Sequence, residues 1–298
     1  MDEDPDGRID GRLRPSYGFW GIVTGRSNSY DPSLQQIPQH NAYAKYIKRA
    51  FIAPGGGLIV KMDYSAHEIR CWGFSACDSA LLSKFEVGRK LRIQYRQSPS
   101  DELKAEIKMR GDFHRLNAQT FFGVDPMDCS DEIRQAVKAI AFGAVYGKSV
   151  KSLARDTKTE LKEMQRIYEA FFKSYPKAKQ WLDWAVKTAR TNLNVYSILG
   201  RTRRLYGYMT GVETLMAAMD RRAMNSPIQG LGSDIGLVSA YLYHLDYYDV
   251  LMELGEIDYD TEDLPNGIEA MVHDSSRQVT PYKYIPIVIQ LTQWIFTQ

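Results

Sequence analysis

Cysteine is scarce in this 298-residue sequence: Cys71, Cys77 and Cys129 are odd in number and lack the paired CxxC spacing of a zinc site or a dithiol redox motif. Buried free thiols in a reducing compartment are expected, in place of a disulfide framework. No apolar run approaches the roughly 18 residues of a membrane span. The N-terminal MDEDPDGRID is acidic and lacks the apolar core of a secretory signal. A cytoplasmic protein with no membrane partner is therefore expected. Internal repeats and low-complexity tracts are missing too. Excess charge is small, a formal net of +2. That total implies no polyanionic partner by itself, although local basic patches can coexist with a near-neutral sum.

What is present is a globular composition, 44% hydrophobic and 25% charged, with length for one large or two ordinary domains. Residues 1–38, rich in Gly, Pro, Ser and Asn, read as loops and turns that wrap over something else. A strand signal builds through FIAP, a triple-glycine turn at Gly55 to Gly57, and LIVKMD, in which Leu58, Val60 and Met62 alternate with the other face. A helix is expected from about Ser65 to Ala76. The stretch Lys84 to Arg110 is highly charged, with a turn at SPS and a helix over DELKAEIKMR, where Glu106 and Arg110 can pair as on a solvated face. Helices then dominate: Phe113 to Phe122, Asp131 to Tyr146, and a long one after Thr159 broken near Pro176. YSILGRTRRLYG reads as a hairpin with a basic turn, Val212 to Tyr248 as helix, and IEAMVHDSSRQV as a hairpin about a Ser-Ser turn. The architecture expected is α+β, a modest sheet with a large helical insertion between its strands.

Two carboxylates stand out. Asp63 closes the expected strand and Asp274 sits at the tip of the expected hairpin, so they could meet at one sheet edge. Each alone reads more readily as a turn residue or cap. Together they suit Mg²⁺, which prefers oxygen ligands and keeps waters and substrate phosphates in its shell, as in two-metal phosphoryl transfer. The helix DEIRQAVKAIAFGAVYGKS adds Arg134, Lys138 and Phe142 at intervals of four, with Tyr146 one turn further on the same drifting stripe. Cations in line with aromatics fit neither an apolar core face nor a solvated one. They fit a nucleoside triphosphate, whose phosphates the cations grip while an aromatic stacks on the base.

Taken in order, TGR at Thr24 with DPSLQQIP, DYSAHEIR at Asp63, RQAVKAIAFGAVYG at Arg134, RRAMNSPIQGLGSDI at Arg221 and VHD ending at Asp274 resemble the family A DNA polymerases, the DNA polymerase I family, and phage members more than the typical bacterial enzyme. The resemblance runs over nearly the whole chain. It implies a palm with an antiparallel sheet bearing Asp63 and Asp274 as ligands of two Mg²⁺ ions, and a helical fingers insertion bearing Arg134, Lys138, Phe142 and Tyr146. The domains so implied are palm over 1–82, fingers over 83–195 and palm again over 196–298. Lys138 joins the two aspartates as catalytic. His114, in GDFH, matches a position that touches the triphosphate, and Glu68 the steric gate that excludes a 2′-hydroxyl. Arg26, Asn225, Gln229 and His273 match residues that follow the primer terminus and minor groove. Arg201 and Arg203, in the basic hairpin, suit backbone phosphates and equally a solvated turn. Primer–template DNA and dNTPs are the implied partners, and host cytoplasm the implied location for a phage gene product.

The sequence departs from the usual family text at Ala66 and His67, where Gln and Ile are common, at Ala141 in place of Asn, and at Ser275 in place of Glu. Retention of Phe142 in place of Tyr implies discrimination against dideoxynucleotides. The family also places a thumb and an exonuclease domain ahead of the TGR segment, and continues past the VHD hairpin. The expectation is a split polymerase whose thumb and exonuclease domains lie on another polypeptide, or a truncated one. The rival readings are a catalytically compromised nucleic-acid-binding or assembly subunit of a replication complex, and a metal nuclease. The second would need neither the cation–aromatic stripe nor Glu68.

Overall fold

Serine or aspartate stands immediately before each of five consecutive helices in the middle of the chain, and the local architecture there follows from them. The computed structural model describes residues 11, 13–38, 41–53, 59 and 64–253. The chain divides into two compact units, residues 65–232 and the remainder on either side.

In the first unit, strands β1 (Ser16–Gly18) and β2 (Asn28–Tyr30) pair antiparallel, with Ser16 opposite Tyr30. A 3-10 turn at Leu34–Gln36 follows, and then the short helix α1 (Ala44–Lys48). A polar knot closes this segment. The Gln35 amide N–H donates to Ser29 Oγ and its side chain to Ser27 Oγ, both at 2.9 Å, with all three residues buried. Phe51–Ala53, expected to begin a strand, is irregular; the Phe51 N–H instead bonds back to the Lys48 carbonyl and extends the turn after α1. The LIVKMD strand, apart from Ile59, and the VHD hairpin lie outside the described residues.

The second unit is helical. It contains α2 (His67–Ser75), α3 (Ser79–Gln97), α4 (Asp101–Arg110), α5 (Phe113–Phe122), α6 (Asp131–Val145), α7 (Val150–Thr157), α8 (Leu161–Ser174) and α9 (Pro176–Asn192). An antiparallel hairpin follows, β3 (Asn194–Tyr196) with β4 (Thr202–Arg204), and then the start of α10 (Glu213–Glu253). Side chains of Asp78, Ser100, Asp112, Ser130 and Ser149 accept hydrogen bonds from the first free N–H groups of α3 to α7. Each such cap stabilises by about 1 kcal/mol. Asp78 does double duty: Oδ1 caps α3 through Leu81 N–H at 3.0 Å, and Oδ2 accepts the Ala178 N–H in the first turn of α9 at 2.9 Å.

Between these helices lies an aromatic core. Trp72 stacks on Phe171 at 6.0 Å, Phe85 on Phe113 at 4.8 Å, and Phe121 and Tyr175 meet Phe171 edge-on. Full burial of each ring is worth about 1.5–3 kcal/mol. Polar ends are satisfied within it: Tyr175 donates to Asn117 Oδ1, and the Trp72 indole N–H to the Ala178 carbonyl at 3.2 Å. Cys71 and Cys129 are buried as expected, but Cys77 is exposed. It follows the C-cap of α2 in a left-handed backbone (φ +48°), which turns it out of the core.

Candidate nucleotide-binding site

Within the second unit, α2, α5, α6 and the start of α10 converge. Ala66, in a left-handed conformation at φ +50°, begins α2 and sets His67 and Glu68 in its first turn. Glu68 is buried, and its carboxylate accepts a hydrogen bond from the hydroxyl of Tyr146, the residue that ends α6. Along α6, Phe142 stacks on Tyr146 with centroids 6.2 Å apart, and Lys138 Nζ lies 5.7 Å from the Phe142 centroid. His114, from the first turn of α5, faces Phe142 at 6.0 Å. Lys138, Phe142 and Tyr146 of the expected stripe are thus in line, with the Glu68 carboxylate at the Tyr146 end and the His114 imidazole beside Phe142.

Asp112 organises this surface, and the sequence reading did not single it out. Its Oδ1 caps α5 by accepting the N–H groups of His114 and Arg115 at 2.9 and 3.0 Å, and its Oδ2 accepts Arg134 Nη2 at 2.8 Å and Nε at 3.1 Å. Burial raises the Asp112 pKa, but the Arg134 guanidinium and the α5 N–H groups outweigh it and hold the carboxylate below its usual range. Arg134 therefore stands in an ion pair at the base of the stripe. The signal for Asp112 was an aspartate directly before an apolar helix start, an N-cap pattern.

His114 is 5% exposed. Burial, with Arg134 and Lys138 adding to it and Asp112 opposing, pushes its pKa down to about 4, so the imidazole is neutral at pH 7. Its Nδ1 is buried with no hydrogen-bond partner among the described residues. An unsatisfied buried polar atom costs roughly 1–3 kcal/mol, which a ligand group arriving there would recover.

His67 forms a second bridge that the sequence did not reveal. Its Nε2–H donates to the Gly232 carbonyl in α10 at 2.9 Å. A Cβ at residue 232 would lie 3.1 Å from the ring, so any side chain there requires the imidazole to give by a few tenths of an ångström. Cys71, three residues after Glu68, is pushed up to about 12 by burial and then by the Glu68 charge, and stays a protonated thiol.

Arg201 and Arg203 lie in the hairpin, where Gly200 (φ +85°) makes the turn and the Arg201 stem crosses α10 beside Gly230. Arg203 is half-buried and its pKa lowered, by burial first and then by Arg222. Asn225 and Gln229 follow one turn apart on α10, and the Asn225 Oδ1 is buried without a hydrogen bond among the described residues. Arg26 belongs to the first unit, in the loop between β1 and β2. Asp63, His273 and Asp274 lie outside the described residues, among which no three His, Cys, Asp or Glu side chains converge into a metal site.

Two cations and stacked ring faces on α6, with a neutral imidazole from α5 beside them, make a site able to hold a phosphorylated, ring-bearing ligand. The model of DNA polymerase family A matches residues 6–245, and the chain belongs to that family. It is 33% identical over 283 residues to DNA polymerase I of Caldicellulosiruptor bescii, covering 95% of this chain and 29% of that protein. It is 32% identical over 226 residues to the thermostable DNA polymerase I of Thermus aquaticus, covering 76% and 24%. The chain thus spans less than a third of the length of these relatives. Among solved structures, it resembles the POL domain of Pol1 from M. smegmatis in complex with DNA primer-template and dNTP, with a TM-score of 0.65, 26% identity, and 85% of this chain and 39% of that one covered. The mostly helical second unit and the two small antiparallel hairpins are consistent with an α+β polymerase fold. No helix among the described residues is long and apolar enough to cross a membrane.

Proposed function

We propose that this chain carries out template-directed DNA synthesis, adding deoxyribonucleotides to a primer 3′-hydroxyl, with palm segments at 1–82 and 196–298 and fingers at 83–195. The observation that carries the reading is the surface on which Arg134, Lys138, Phe142 and Tyr146 of α6 meet His114 of α5 and Glu68 of α2. Its kinship with a POL domain solved with primer-template and dNTP supports it.

On this reading Lys138 and Arg134 meet the triphosphate, Arg134 sharing its charge between Asp112 and the ligand. His114, neutral, offers an N–H to a phosphate oxygen with no added charge. Phe142 and Tyr146 present ring faces to the base and sugar. Glu68, held by Tyr146, stands where a 2′-hydroxyl would come. The primer 3′-oxygen forms a bond to the α-phosphorus as the bond from that phosphorus to the bridging oxygen breaks. The hydroxyl proton goes to solvent, and pyrophosphate leaves toward Lys138. Asp63 and Asp274 are the residues that would hold two Mg²⁺ ions, as hard oxygen donors suited to that cation. When bound, the ions neutralise the developing charge and lower the pKa of the 3′-hydroxyl.

Arg26, Asn225, Gln229 and His273 are assigned to the primer–template, with Arg201 and Arg203 on backbone phosphates. The test is extension of a labelled primer on a defined template with Mg²⁺, assayed beside phosphodiester cleavage of the same duplex. Template-matched extension is expected. Cleavage without extension would assign the carboxylates to a nuclease instead.

A further inference from the structure

Helix α3 carries charge that its own stability opposes. It bears Lys84, Arg89, Lys90, Arg92 and Arg96 against a single acid, Glu86, whereas neighbouring α4 balances Asp101, Glu102 and Glu106 with Lys104, Lys108 and Arg110. Leu81, Phe85 and Gly88 form the buried side of α3, and Arg89, Lys90, Arg92 and Arg96 are exposed. Arg89, Arg92 and Arg96 fall at i, i+3 and i+7, one stripe of like charge, and like charges at those spacings weaken a helix. Only Arg96 lies in the last turn, where a cation gains from the helix dipole. Glu86 offsets one of them, pairing with Arg89 at 2.7 Å.

Repulsion is concentrated further at the middle of the stripe. Arg92 folds back over Gly88, where an added Cβ would lie 2.9 Å from Nη1. It comes close enough to Arg70 to lower that guanidinium's pKa, after burial, which lowers it most, while the Glu86 carboxylate opposes both. Arg70 itself lies over the Phe85 ring at 4.0 Å. Two guanidinium groups are therefore held near each other beside an exposed row of cations, in a chain whose formal net charge is only +2. A polyanion laid along α3 relieves that repulsion. The stripe runs about 10 Å along the axis, roughly the rise of three nucleotides of one strand.

We propose that the Arg89–Arg92–Arg96 stripe of α3 is a sequence-independent binding surface for the phosphate backbone of the nucleic acid on which the chain acts, outside the nucleotide site. It rests on the polymerase reading of the chain. The three guanidinium groups contact up to three successive phosphates and none of the bases, so they set affinity and not choice of nucleotide.

The test is equilibrium binding of a fluorescent primer–template to the full chain across about 0.05 to 0.3 M salt, for wild type, the triple variant Arg89→Gln/Arg92→Gln/Arg96→Gln, and the control Lys104→Gln/Lys108→Gln on α4. The triple variant should bind at least about tenfold more weakly at the low-salt end and lose about 2–3 from its log–log salt slope, at roughly 0.9 per phosphate contact. The control should match wild type, and the incorporation rate at saturating DNA should be unchanged in all three. Circular dichroism checks that α3 stays folded; the triple variant, freed of like-charge repulsion, should be no less helical. A triple variant that matches wild type in affinity and slope overturns the proposal and leaves α3 a solvated face or a contact for an acidic protein. A wild-type chain that does not bind primer–template overturns the polymerase reading, and this one with it.

Discussion

The hydroxyl of Tyr146, where α6 ends, donates a hydrogen bond to the buried carboxylate of Glu68 in the first turn of α2. The bond joins a residue of the cation–aromatic stripe to the residue assigned to sugar discrimination, across 78 positions of sequence. It makes Glu68 a held group instead of a swinging one. On the proposed assignment, Glu68→Ala should raise ribonucleotide use relative to deoxyribonucleotide by at least about tenfold, because a cavity would replace the group proposed to face the 2′ position. Tyr146→Phe keeps the carboxylate but frees it, and should relax the same ratio by a smaller factor. The ratio of kcat/KM for dNTP over rNTP checks both, and an unchanged ratio in Glu68→Ala removes Glu68 from that role.

His114 gives a pH signature. Its folded pKa, about 4, lies below the ordinary 6.5, so the unfolded chain takes up the proton first as pH falls. No stability difference arises from this residue above about 6.5, and stability is lost progressively between 6.5 and 4, by up to about 1.4 kcal/mol per pH unit. Asp112, whose folded pKa is lowered below 3.8, keeps its contribution throughout that window and loses it only at lower pH. Urea unfolding at pH 7 and pH 5 should show the loss in wild type and a flatter profile in His114→Gln.

Asp78 holds two helix N-termini with one carboxylate. Asp78→Ala removes the α3 cap and leaves the Ala178 N–H buried and unbonded, at a combined cost of roughly 2–4 kcal/mol. A fall in the urea midpoint with an unchanged slope is the expected result.

The His67–Gly232 bridge predicts a coupled pair. A methyl at 232 meets the imidazole at 3.1 Å, an overpacking cost of about 1–3 kcal/mol that opposes the roughly 1 kcal/mol Ala gains over Gly inside a helix, so Gly232→Ala should fall short of that gain or destabilise. Adding His67→Ala should recover part of that cost, since the double variant has room for the methyl. A strictly additive double variant would mean the two residues do not constrain each other.

How much of this was legible in the sequence depended on the kind of interaction. Helices α5 and α6 were readable as the spans Phe113 to Phe122 and Asp131 to Tyr146, although the caps Asp112 and Ser130 that start them were not singled out, and the β3–β4 hairpin was readable from the basic turn in YSILGRTRRLYG. The cation–aromatic stripe was readable because a single helix with a period of 3.6 aligns its members. Contacts between helices were not readable. Nothing local marks Arg134 as the partner of Asp112 across 22 positions, or Gly232 as the acceptor for His67 across 165. The β1–β2 hairpin escaped because its three-residue strands show no alternation and are closed by the Ser27, Ser29 and Gln35 hydrogen bonds. The exposure of Cys77 escaped because it comes from a left-handed residue after α2 and not from hydropathy.

The central claim is that this chain transfers a nucleotide chosen by the template, using the α6 surface and the two aspartates. Rapid-quench measurement of a single incorporation in Mg²⁺ tests it most directly, comparing wild type with Lys138→Ala, Asp63→Asn and Asp274→Asn at saturating primer–template. The account predicts addition of the complementary dNTP alone by wild type, and a loss of about a hundredfold or more in rate for each variant, with DNA binding largely intact. Incorporation that ignores the template, or variants that extend at the wild-type rate, would contradict it.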